Sequence, residues 1–306
     1  MSIGVTRVFH LNVNCSNLDR SLGFYRDLLG LTQGAHTVSP EQDGTAFGLA
    51  TAAWDAWIML DGRGYDGVVL DLLEWQTPRP TGAPPATACE LGFSRLGFTT
   101  RDIDGLYERL VAAGTRCFGK PHDVALEGAP PIRALTCLDP DGTMVELVGE
   151  DGVTDRFSFL AINCADLDRS VAFYESVLAF RPLARFSPGP QNGTALGIDQ
   201  EIEFEMAYLD DPRGTGAFAL DLVQWTTPES SGSPSREANR VGPFRLALLT
   251  DDIDAAHAAL VNQGAHCWSA PADLEMGPGI PPLRALLFDD PDGTVLELIQ
   301  PPEATT

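Results

Sequence analysis

Residues 14–29 read NCSNLDRSLGFYRDLL, and residues 163–178 read NCADLDRSVAFYESVL. An offset of about 150 residues between two such similar stretches marks an internal repeat. The match runs outward in both directions. GTAFG at Gly44 returns as GTALG at Gly193, and LDLLEWQTP at Leu70 returns as LDLVQWTTP at Leu220. FSRLGFTTRDIDGLYERLVAAGTRC at Phe93 returns as FRLALLTDDIDAAHAALVNQGAHC at Phe244, and PPIRALTCLDPDGTMVELV at Pro130 returns as PPLRALLFDDPDGTVLELI at Pro281. The chain therefore predicts two similar domains, 5–150 and 155–302.

Each half divides again. An alternating apolar strand, an Asp or Asn placed to cap a helix (Asn17, Asp102, Asp166, Asp252), and an amphipathic helix open each of four modules. Three shorter apolar runs of strand length follow. The modules occupy 5–78, 90–150, 155–228 and 241–302, an α+β chain of four βαβββ units. Pro/Gly-rich stretches from Thr77 and Thr227 read as connectors inside each half. DPDGT before the last strand of the second and fourth modules is a tight-turn sequence.

Composition narrows the function. Of 306 residues, 44% are apolar and 21% charged; this is a folded chain, not a disordered one. Twenty basic against 43 acidic residues give a formal charge of −23. That field disfavours nucleic acid and membrane surfaces and draws cations. No apolar run reaches the length of a spanning helix and no signal segment is evident at the start, so a cytoplasmic protein, monomer or homodimer, is expected. Six cysteines without a CxxC pair read as reduced, small apolar residues.

The HLNVNCSNLDRSLGFY opening, its echo AINCADLDRSVAFY and the two DPDGTxxEL endings resemble the vicinal oxygen chelate superfamily, which holds glyoxalase I, extradiol dioxygenases and bleomycin-resistance binding proteins. The resemblance covers nearly the whole chain. It implies paired modules forming a curved sheet around a pocket. It also implies metal ligands on the first strand, seven residues before the helix cap, and at the Glu of the last-strand EL pair. Carried over, those positions are His10 and Asp71 in the first module, Arg95 and Glu146 in the second, Phe159 and Asp221 in the third, and Arg245 and Glu297 in the fourth.

A guanidinium donates only and cannot ligate, and Phe159 has no donor atom. Arg95 is thus expected to pair with Glu146 and Arg245 with Glu297, an ion pair standing twice where a metal would. The alternative is one divalent metal in the first domain on His10, Asp71 and Glu146. Trp54 and Trp57 are expected on one strand face as a stacking wall, with Phe159 as a further wall and Asp55, Asp71, Glu205 and Asp221 as an acidic rim. The expected function is metal-independent binding of an aromatic, amine-bearing natural product, in resistance or as a biosynthetic accessory, through His10, Trp54, Trp57, Asp71, Arg95, Phe159, Asp221 and Arg245. The alternative is a glyoxalase- or dioxygenase-like enzyme, a lyase, cyclase or isomerase of secondary metabolism. It would use His10, Asp71 and Glu146 with a metal, or His10 or a carboxylate as acid/base with Arg95 stabilising an enolate.

Overall fold

The computed structural model describes residues 2–124 and 131–302; Pro130, the first residue of one repeat quoted above, lies outside them. The first module is β1 (Val5–Asn14), α1 (Leu18–Tyr25), β2 (Thr32–Val38), β3 (Thr51–Leu60) and β4 (Val69–Thr77). The second is β5 (Gly92–Thr100), α2 (Ile103–Ala112), β6 (His122–Val124), β7 (Ile132–Leu138) and β8 (Met144–Gly149). The third is β9 (Arg156–Asn163), α3 (Leu167–Ser176), β10 (Arg181–Phe186), β11 (Glu201–Asp210) and β12 (Ala219–Thr227). The fourth is β13 (Gly242–Thr250), α4 (Ile253–Asn262), β14 (Ala272–Leu274), β15 (Leu283–Asp289) and β16 (Val295–Gln300).

The helices start where the sequence says. Asn17, Asp102, Asp166 and Asp252 each accept from the backbone N–H three residues on, satisfying one of the free donors of the first turn. Within each module the first strand runs parallel to the last, and the remaining strands add antiparallel outward. The four βαβββ units therefore form two curved mixed sheets.

The partners in those sheets differ from chain order. The expectation was that the first and second modules would share a sheet, as would the third and fourth. Instead β1 pairs antiparallel with β13, joining the first module to the fourth, and β9 pairs antiparallel with β5, joining the third to the second. Connection length gives the reason. Residues 150–155 alone separate β8 from β9, and β8 and β9 flank β5 in one sheet. Two strand spacings amount to about 10 Å, which six residues cross easily. The Pro/Gly-rich connectors, 78–91 and 228–241, are the segments that pass between sheets, and they touch each other at Thr81 with Arg240 and Glu90 with Ser231.

The modules of each half still meet, on the helix side. Tyr25 Oη donates to Asp139 (3.0 Å) and Tyr174 Oη to Asp290 (3.0 Å), so each DPDGT turn seats on the helix of the preceding module. Arg20 pairs with Asp141 and Arg169 with Asp292 alongside. One apolar core runs through both sheets and all four helices, while the opposite, concave face of each sheet carries a core of its own.

Two buried asparagines from the quoted motif fasten the connectors. Asn14 Nδ2 donates to the carbonyls of Ala238 (2.7 Å) and Arg240 (2.8 Å), and its Oδ1 accepts from Trp75 Nε1 (3.1 Å). Asn163 repeats this with Ala88 (2.7 Å), Glu90 (2.6 Å) and Trp225 (3.0 Å). Replacing Asn14 by Ala strands two carbonyls and an indole N–H. Each unpaired buried group costs about 1–3 kcal/mol, so Asn14→Ala is expected to lower unfolding free energy in urea by about 3 kcal/mol or more. A loss below about 1 kcal/mol would contradict this role.

Candidate functional site

The cross-pairing of first strands decides which side chains meet. His10 lies opposite Ala247 on β13, beside Val69 of β4. This brings together His10 and Asp71 of the first module with Arg245 and Glu297 of the fourth. Arg245 Nε donates to Glu297 Oε2 (2.8 Å) and Arg245 Nη2 to Asp71 Oδ2 (2.8 Å). Asn12 Nδ2 gives Asp71 Oδ2 a second donor at 3.0 Å. His10 Nε2 stands 3.2 Å from Glu297 Oε2 and 3.8 Å from Asp71 Oδ2. All four residues are buried, none more than 6% exposed. Burial would raise the Glu297 carboxyl, but Arg245 and His10 outweigh it and hold it down at about 2.

The second cluster is built the same way from the other two modules. Arg95 Nε donates to Glu146 Oε2 (2.7 Å) and Arg95 Nη2 to Asp221 Oδ2 (3.2 Å). Phe159 takes the place of His10, facing Gly97; a Cβ on Gly97 would stand 2.1 Å from the Phe159 ring. Where the first cluster has His10, Asn12 and Ala247, this one has Phe159, Ala161 and Gly97. Asp221 lacks the amide donor that Asn12 supplies, and its Oδ1 has no hydrogen-bond partner. Burial pushes it up to about 7, with Arg95 opposing and Glu146 adding to the rise.

Glu146, expected beside His10 and Asp71, therefore belongs to the other sheet. The fourth member of the His10 cluster is Glu297. Position on the last-strand EL pair was the available signal, and it becomes decisive only once the module partners are known. The two Arg–Glu pairs do form as the sequence suggested, and each guanidinium also takes an Asp from across the sheet seam.

The donor set does not fit a divalent metal. In the His10 cluster one oxygen of each carboxylate, Glu297 Oε2 and Asp71 Oδ2, already bonds Arg245, and a metal among His10, Asp71 and Glu297 would sit against a guanidinium. In the other cluster Phe159 offers nothing. Among the described residues, no group of three or more His, Cys, Asp or Glu is arranged to hold a metal ion.

A cavity of ≈190 Å³ opens on the His10 cluster, with His10, Asp71, Arg245 and Glu297 in its wall. Phe9, Phe47, Trp54, Ile58, Leu274 and Met276 supply apolar wall. Phe47 packs edge-on against Trp54 and Trp75 (centroids 5.8 and 5.3 Å) and lies 5.9 Å from the Arg245 guanidinium carbon. Trp57 is not part of it. Trp54 packs into the concave-face core and Trp57 against the helix-side core. Residues an odd number of steps apart on a strand point to opposite faces, so the expected shared wall cannot form. Trp57 stacks on His36 instead (4.1 Å). The acidic rim also dissolves: Asp55 pairs with His36 (2.7 Å), Glu205 is exposed, and Asp71 and Asp221 are held by Arg245 and Arg95.

A larger cleft of ≈490 Å³ lies along the two connectors. Its arginines are already engaged, Arg236 with Asp289 and Arg240 with Glu237. No helix among the described residues is long and apolar enough to cross a membrane.

Comparison with known proteins agrees with this architecture. The family model described as Glyoxalase/Bleomycin resistance protein/Dioxygenase superfamily matches residues 7–147 and again 156–298. A lactoylglutathione lyase of Arabidopsis thaliana is 31% identical over 206 residues, 66% of this chain and 64% of that protein. A putative lactoylglutathione lyase of Brassica oleracea var. gemmifera is 26% identical over the same shares. The chain thus spans 64% of the length of these curated relatives. Glyoxalase I of Zea mays superposes with a TM-score of 0.68 at 19% identity, covering 96% of this chain and 92% of that one. A putative dioxygenase of Bacillus subtilis superposes at 0.61 and 12% identity, covering 98% and 86%. Both of these show the shared fold.

The pH dependence of the second cluster has a definite sign. A carboxyl near 3.8 in the unfolded chain and at about 7 in the folded one binds its proton more tightly when folded, so its contribution to stability falls as pH rises between those values. Asp221→Asn removes that slope. The variant is expected to gain on the wild type between pH 5 and pH 8 in urea unfolding, by at most about 3 kcal/mol after allowing for coupling to Glu146. A difference between the two proteins that stays constant with pH would contradict it.

Proposed function

The chain belongs to the glyoxalase/bleomycin resistance protein/dioxygenase superfamily, and from that premise we propose that it is a metal-independent enzyme, a lyase or isomerase moving a proton on a small apolar carbonyl compound. The observation carrying this reading is His10. Its ring is 5% exposed, lines the apolar cavity, and has no aligned hydrogen bond at either nitrogen. A buried imidazole is normally satisfied, and one left without partners in a cavity wall is a group that a ligand's proton can complete. The neighbouring carboxylates favour the tautomer with its proton on Nε2, which leaves the lone pair on Nδ1. The same two carboxylates stand 3.2 and 3.8 Å from Nε2, on the side of the ring away from Nδ1.

In this reading the substrate is an α-hydroxy carbonyl compound: Nδ1 takes a proton from the hydroxyl-bearing carbon, the C–H pair forms a carbon–carbon double bond as the carbonyl π pair moves to oxygen, and the proton returns to the former carbonyl carbon as the neighbouring hydroxyl loses its own proton and becomes the new carbonyl. The relatives named lactoylglutathione lyase support the enzyme class. The substrate is proposed to differ, because a wall of Phe9, Phe47, Trp54 and Met276 suits an aromatic or branched apolar ligand better than a peptide conjugate. The same apolar wall favours a second reading, sequestration of an aromatic natural product without turnover.

The two readings separate in deuterium oxide. Incubated with 2-hydroxyacetophenone and related aryl ketones, the wild type is expected to exchange the proton next to the carbonyl, followed by proton NMR. His10→Gln is expected to lower that rate by about 10²–10⁴-fold, while Phe159→Leu, in the other sheet, leaves it within about twofold. Saturable binding of these ketones with no exchange would establish the binding protein and reject the enzyme.

A further inference from the structure

The Arg245 side chain spends two of its three nitrogens inside the protein. Nε is committed to Glu297 and Nη2 to Asp71, and each bond is 2.8 Å long. Nη1 is buried and has no hydrogen-bond partner. Its residue is 6% exposed and lines the ≈190 Å³ cavity beside His10, whose ring nitrogens are likewise without aligned bonds. A guanidinium N–H left unpaired in an apolar setting costs more than an ordinary amide, and such groups are retained where a ligand completes them. The cavity wall thus holds one unpartnered cationic donor group and one unpartnered imidazole, with Asp71, Glu297, Thr37 and Tyr65 beside them among apolar side chains.

We propose that Arg245 Nη1 is the oxygen-binding group of this cavity, a built-in cation in the place a metal would take. Its ligand class is apolar compounds with an ionisable hydroxyl on an unsaturated carbon, phenols and enols. The ligand O–H gives its proton to His10 Nδ1, its electron pair stays on oxygen, and that oxygen accepts from Nη1. Charge is conserved within the cavity, since an imidazolium forms as the phenolate does. The carboxylates of Asp71 and Glu297 face the imidazolium and not the oxygen.

This class follows from charge. One guanidinium faces two carboxylates in this cluster, a formal balance of acidic groups over basic ones that opposes a permanent anion. A permanent cation finds both carboxylates already bonded. A neutral ligand that becomes an anion only by protonating His10 meets neither objection. The other cluster is the internal control. Arg95 Nη1 is equally unpartnered, but Phe159 stands where an imidazole would take the proton.

The inference rests on the cavity assigned under the proposed function, and its test needs no turnover. The probes are 4-nitrophenol, whose neutral and ionised forms absorb at different wavelengths, and its methyl ether. The wild type is expected to bind the phenol at least about tenfold more tightly than the ether and to lower the apparent ionisation pH of the bound phenol by about one unit. Arg245→Gln is expected to abolish both effects. Arg245→Lys keeps the charge for folding but lacks the forked Nη1 donor, and is expected to lose most of the shift. Arg95→Gln is expected to retain both. Equal affinity for phenol and ether, or an undiminished shift in a folded Arg245→Lys protein, would overturn the assignment, as would failure of the phenol to bind. A protein that ionises the phenol but exchanges no ketone proton keeps this inference and loses the enzyme. Proton exchange without a phenol preference does the reverse.

Discussion

The antiparallel pairing of first strands from different modules is the constraint on which the rest depends. β1 on β13 and β9 on β5 weld each sheet across a seam, and the functional positions lie along that seam. An arginine on one side reaches a Glu on its own module's last strand and an Asp on the other module. Each guanidinium is therefore a crosslink between modules as well as a charge in a pocket. Burial makes each guanidinium hard to remove: without it the buried carboxylates it bonds would keep their desolvation cost with no cation against them.

The two clusters share a backbone and have been driven apart by three substitutions that depend on one another. Phe159 needs the space that Gly97 leaves open, and Ala161 withdraws the amide that would steady the nearby carboxylate. Ala247 fills the matching space opposite His10, a ring smaller than phenylalanine, and Asn12 supplies the extra donor to Asp71. The outcome is one cluster that lines a cavity and one in which an aromatic ring lies over the bare backbone. Volume and hydrogen bonding shifted together, as close packing requires. The third module's side of the repeat is thereby better suited to supporting the fold than to proton transfer.

Much of this was legible in the chain. The repeat, the four modules and the capping residues Asn17, Asp102, Asp166 and Asp252 follow from local pattern, because capping and periodicity are decided within a few residues. The Arg–Glu pairs were legible for the same reason, since both members sit on neighbouring strands of one module. The partner of each module was not, because strand pairing between modules is settled by long-range contacts that no local pattern encodes. That single gap sent Glu146 to the wrong cluster and left Glu297 outside the His10 set. The six-residue link between β8 and β9, against fourteen-residue connectors elsewhere, was the signal available. Trp54 and Trp57 failed differently: three steps along a strand reverse the side chain, so the period itself argued against a shared wall.

A guanidinium in a metal's position is a different instrument from the metal. It carries one charge where a divalent ion carries two, and it holds that charge at any ordinary pH. It cannot activate a water as a Lewis acid does. Its geometry is fixed by the fork that binds Asp71 and Glu297, so it offers a ligand one direction of approach and not several open coordination positions. Chemistry built on it must develop charge on a single oxygen, close to the donor, and must find its proton acceptor among neighbouring side chains. His10 is the acceptor within reach of the same cavity, and the carboxylates that hold Arg245 in place also face its ring. The ion-pair cluster thus does two things with one set of bonds: it fixes the guanidinium, and it places two carboxylates against the His10 ring.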